Sequence, residues 1–150
     1  MNPTTLRALW QTGHLYPEQL PDIASDLLGG GADSPALREL AGLQLPTRAD
    51  AEPVMTRVLS ELCVPTLEAS EACQVAAREI AIRTLEGRIQ PYDASASLAA
   101  LCSDCGWPED LKFFVAALDE WDDLPGAREQ ITGEILEECR RLVAQTPAAA

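Results

Sequence analysis

Apolar residues recur along this chain at spacings of three and four, in short runs cut by glycine and proline, with no sustained period-two alternation. Leu6, Leu9 and Trp10 share one face of a helix expected over 4–12 and stopped by Gly13. A second, over 17–28, presents Ile23, Leu27 and Leu28 with Pro21 in its first turn, and Gly29-Gly30-Gly31 ends it. Ser34 then reads as an N-cap with Pro35 as the first helical residue, and Leu37, Leu40 and Ala41 follow before Gly42. Asp50 is the expected cap of a helix carrying Val54, Met55, Val58, Leu59 and Leu62.

The longest helix is expected over 69–86, closed by Gly87. Its apolar residues surround so much of the circumference that a central, multiply packed position follows. Asp93 or Ser95 starts the next helix, which carries Leu98, Leu101 and Cys102. Leu111, Phe114, Val115 and Leu118 form another stripe behind the helix-start chemistry of Pro108, Glu109 and Asp110. Ile131, Ile135, Cys139 and Leu142 form the last. The pattern predicts an all-α fold, an irregular bundle of seven or eight short helices around the central one, as a single domain over 1–150 with 146–150 a frayed tail.

Composition changes this picture in one respect. The 24 acidic residues outnumber the 11 basic ones, for a formal charge of −13. That field repels phosphate backbones and anionic membranes, so neither nucleic acid nor membrane is an expected partner. A basic protein is favoured, and simple solubility is the competing explanation of the charge. Every basic side chain but Lys112 is arginine, which with the abundant alanine suggests a GC-rich bacterial genome. The five scattered cysteines suit reduced thiols, and without a leader-like apolar run the expected compartment is the cytoplasm.

Candidate chemistry is thin. Cys102 and Cys105 form a C-x-x-C, the spacing of a zinc or redox pair. A zinc site needs two more ligands, and Cys63, Cys73, Cys139 and His14 are each isolated in sequence. The same two cysteines continue the stripe of Leu98 and Leu101, where a thiol serves as a small buried hydrophobe. His14, the only histidine, follows Gly13 at a helix end, where it can cap carbonyls. The Gly29–Gly31 run lacks the lysine and strand of a phosphate loop. Hydrolase, metalloprotease and dinucleotide motifs are missing, so no catalytic residue, metal or cofactor is expected and the chain reads as a non-enzyme.

The segment from Asp104 to Leu124 is the most suggestive. It combines Trp107 and Trp121 with Asp119, Glu120, Asp122 and Asp123, aromatic residues ringed by charge as protein interfaces use them. Trp121 also extends the Leu111–Phe114–Leu118 stripe, so core packing competes with an interface role. The acids are too crowded for an EF-hand loop, and a solvated face is the simpler account.

Asp33-Ser34-Pro35-Ala36-Leu37-Arg38-Glu39-Leu40-Ala41-Gly42-Leu43 resembles a segment of small uncharacterised helical proteins of high-GC bacteria. Ala77-Arg78-Glu79-Ile80 and Leu85-Glu86-Gly87-Arg88-Ile89-Gln90-Pro91 are similar to a later segment of the same proteins. The resemblance covers a minority of the chain and implies a helical fold without an activity. The expected role is a small acidic binding protein that neutralises or chaperones a basic partner, most concretely an immunity protein of a bacterial toxin system. Its partner-binding residues would be Trp107, Asp119, Glu120, Trp121, Asp122 and Asp123. The alternatives are a metal- or redox-active protein using Cys102 and Cys105, and a helical adaptor whose apolar grooves bind partner helices.

Overall fold

A computed structural model describes residues 1–145, so the tail expected over 146–150 lies outside the described residues. Among them the chain forms eight α-helices and no strand. They gather into two compact units, one spanning Met1–Glu68 and the other beginning at Ala69.

The first unit contains α1 (Pro3–Gln11), α2 (Leu20–Gly29), α3 (Pro35–Ala41) and α4 (Arg48–Glu61). Asn2 caps α1 by accepting from the Thr5 N–H. Ser34 caps α3 by accepting from the Leu37 N–H, with Pro35 at the first position, where its missing N–H costs nothing. The cap of α4 is Thr47 rather than Asp50. Asp50 is the third helical residue and reaches back to the Thr47 N–H at 3.0 Å, a reciprocal capping box. The Glu61 carboxylate at the end of α4 accepts the Ala36 N–H at 2.8 Å, pinning the start of α3 to α4. Helix α3 packs on both α2 and α4. Leu6, Leu9, Leu20, Leu37, Leu40 and Met55 are fully buried in this unit.

The second unit contains α5 (Ala69–Leu85), α6 (Pro91–Asp104), α7 (Lys112–Asp123) and α8 (Arg128–Ala144). Helix α5 packs on α6 and α8, and α7 packs on α6 and α8. Arg78 donates to the Val143 carbonyl at 3.3 Å, and the Thr84 hydroxyl meets the Cys139 thiol farther along, so α5 and α8 run antiparallel. Only one face of α5 is fully buried (Ala72, Cys73, Ala76, Ala77, Ile80, Ala81); Val75 and Ile82 are half-buried and Leu85 is exposed. The small side chains of that face let neighbouring helices approach closely. Helix α6 begins at Pro91, ahead of the Asp93 or Ser95 start read from the sequence, because proline suits a first helical position. Ser95 is instead buried inside it, and its hydroxyl has no hydrogen-bond partner among the described residues.

Five helices end in one device. The chain enters the left-handed region at Gly13, Gly31, Cys63, Gly87 and Gly106, and the next N–H turns back to a carbonyl of the last helical turn. Four of these positions are glycine, which adopts that conformation without strain; Cys63, at φ 52°, is not.

Candidate functional site

The acidic aromatic segment starts where α6 stops. The Trp107 N–H donates to the Cys102 carbonyl at 2.8 Å, which closes α6, and Trp107 itself sits at φ 60° behind Gly106. This places the indole outward, 52% exposed. Pro108 and a 3-10 turn over Glu109–Leu111 lead into α7, and Lys112 pairs with Glu109 at 2.5 Å.

Helix α7 sorts its residues by angle. Phe114 and Ala117 are buried, Val115 and Leu118 are half-buried, and Trp121, seven residues after Phe114, lies on the same side. Asp119, Glu120, Asp122 and Asp123 fall on the rest of the circumference and are all exposed. None of the four has a cation within ion-pair distance among the described residues, whereas eight of the chain's cations are paired elsewhere. Leu124, 53% exposed, follows them before the turn at Pro125–Ala127.

Trp121 is half-buried and has partners. Its ring lies 5.3 Å from the Tyr92 ring on α6, tilted by 44°. The Arg128 guanidinium lies 5.5 Å from the indole centroid, and its Nε donates to the Trp121 carbonyl at 3.2 Å. Arg128 lies beyond the turn at Pro125–Ala127 and Tyr92 on α6, so neither contact with Trp121 has a helical spacing to announce it in the sequence.

The two tryptophans do not form one patch. Trp107 precedes α7 and Trp121 lies near its end, roughly 14 Å along the axis from Lys112. The expected site thus divides. Asp119, Glu120, Asp122 and Asp123 gather with Leu124 at one end, and Trp107 stands at the other with Glu109 and Asp110.

Cys102 is fully buried and Cys105 half-buried, and the Cys102 thiol points to the Pro108 carbonyl at 3.9 Å. Cys73, from α5, lies near enough to Cys105 to share its electrostatics, so the fold adds a thiol that sequence spacing could not place. Burial pushes the thiols of Cys73 and Cys102 up, away from the reactive thiolate, and pushes Cys139 up to about 11. Among the described residues no three His, Cys, Asp or Glu side chains are grouped to hold a metal ion. His14 Nδ1–H donates to the Thr12 carbonyl at 2.9 Å, a helix-end contact. Gly31 ends α2 with the Ala32 N–H bonded to the Leu27 carbonyl, so the glycine run serves as a helix stop. No helix among the described residues is long and apolar enough to cross a membrane.

Comparison with protein-family models, curated proteins and solved structures finds no match.

Proposed function

We propose that this chain is a small acidic binding protein that neutralises or chaperones a basic protein partner, with an immunity protein of a bacterial toxin system as its concrete form. The observation that carries this reading is the end of α7, where four exposed carboxylates stand without cation partners among the described residues beside an exposed leucine. Most arginines of the chain sit in ion pairs with its own acids, so the surplus negative charge rests on unpaired carboxylates, and the four of α7 are the ones clustered on a single helix end. Rigid carboxylates on a helix steer a basic surface toward encounter, and Leu124 adds an apolar contact at their edge. Such a role requires no catalytic side chain.

The test is low-salt capture from a bacterial host with the wild type and with a variant carrying Asp119→Asn, Asp122→Asn and Asp123→Asn. A partner retained by the wild type is then taken to surface-based kinetics. Association should slow by on the order of tenfold in the variant and lose much of its salt dependence. A partner that binds both proteins with the same association rate sinks the α7 assignment.

A further inference from the structure

The first unit contains a cleft of about 520 Å³ between α1, α4 and the segment after α4. Its charge runs against that of the chain. Arg7 and Arg48 both line it, with Glu52 as the only carboxylate in its wall. Most arginines of the protein pair tightly with a carboxylate, for example Arg57 with Glu39 at 2.7 Å and Arg83 with Glu79 at 2.8 Å. The two in the cleft do not. Arg48 stands 4.0 Å from Glu52, and Arg7 has no carboxylate partner among the described residues.

Both guanidiniums are nonetheless positioned. The central carbon of the Arg48 guanidinium lies 3.8 Å from the Trp10 ring centroid, and its Nη2 donates to the Trp10 carbonyl at 3.5 Å. The indole holds the guanidinium in place, and the Arg48 side chain is still 48% exposed. Arg7 Nη2 donates to Thr66 Oγ1 at 3.2 Å, which ties α1 to the far wall, while its buried Nε–H has no acceptor among the described residues. Leu59 and Val64 supply apolar wall. Two ordered, under-compensated guanidiniums in a cleft of metabolite size are the arrangement that receives an oxyanion.

We infer that this cleft binds a small organic oxyanion, a carboxylate or phosphate ester with a short flat or apolar body. The oxyanion sits between Arg7 and Arg48, and the body lies against the Arg48 guanidinium and the Leu59–Val64 wall. None of the α7 residues takes part, so this inference and the proposed function stand or fall separately.

The probes are phenyl phosphate, benzoate and, as the opposite charge, benzylamine. Each is titrated at low ionic strength into the full chain while the Trp10 indole and arginine Nε–H signals are followed by NMR. Phenyl phosphate or benzoate should saturate with shifts confined to Trp10, Arg7 and Arg48, and the tighter of the two identifies the oxyanion. Arg48→Gln should weaken binding about tenfold, and Arg7→Gln likewise if that variant keeps its helical spectrum. Arg128→Gln, on α8, should leave binding unchanged. The inference is overturned if neither anion saturates, if benzylamine binds as well as they do, or if Arg48→Gln binds like the wild type.

Discussion

Replacing Trp121 with alanine separates packing from recognition at the end of α7. Truncating a fully buried aromatic costs about 3–5 kcal/mol. Trp121 is half-buried, so burial accounts for about 2 kcal/mol of loss. The tilted contact with Tyr92 adds about 0.5–1 kcal/mol and the Arg128 guanidinium about 0.5 kcal/mol. The expected cost is therefore about 3 kcal/mol, which lowers the melting temperature of a unit this size by on the order of 10–20 °C. Thermal and urea melts followed by circular dichroism measure it. A double-mutant cycle with Tyr92→Ala should return a coupling of about 0.5–1.5 kcal/mol. Trp107→Ala, at an exposed indole, should stay within about 0.5 kcal/mol of wild type. A shift below about 3 °C for Trp121→Ala would refute the packing argument, since so small a loss is that of a surface side chain.

Cys63→Gly should stabilise the protein by about 0.5–1 kcal/mol in urea melts, because relief of left-handed strain at φ 52° outweighs the added freedom of the unfolded chain. Ser95→Ala should stabilise by about 1 kcal/mol by removing a buried hydroxyl without a partner, and a destabilised variant would show that the hydroxyl is satisfied. The Ala36 N–H and then the Ser34 hydroxyl hold the Glu61 carboxyl below its ordinary range, as Thr47 does for Asp50. A depressed carboxyl stabilises the fold above its unfolded pKa and ceases to as pH falls through its folded value. Glu61→Gln should therefore melt below wild type at pH 7, and the gap should narrow as pH falls below the ordinary carboxylate range; a gap that does not change as the carboxyl is protonated would remove Glu61 from the account.

Local devices were the legible part of this chain. Ser34-Pro35 and the glycine stops at Gly13, Gly31 and Gly87 name helix ends through backbone chemistry confined to a few neighbouring residues, and they lie where the pattern puts them. Thr47 was missed because Thr47 and Asp50 are both good caps, and only the reciprocal bonds reveal which begins the helix. Cys63 was missed as a stop because a left-handed cysteine leaves no compositional mark. In the acidic segment, the sequence identified the exposed carboxylates of α7 but could not see that α7 itself separates Trp107 from Trp121. The Tyr92–Trp121 contact, the Cys73–Cys105 contact and the Arg7–Arg48 cleft each join side chains from different helices, and no spacing rule reaches across a fold.

The antiparallel seam between α5 and α8 has a consequence for the order in which the second unit is made. These are its first and last helices, so a packing surface as extensive as any in the unit joins parts synthesised farthest apart. While α6 and α7 leave the ribosome, the α8-facing side of α5 has nothing to rest on. The nascent unit can gather α5, α6 and α7 through neighbour contacts, but it cannot close until Ile131, Ile135, Cys139 and Leu142 arrive. A translation pause before Arg128 would hold an apolar alanine-lined groove open to other chains, and release of α8 would act as the latch.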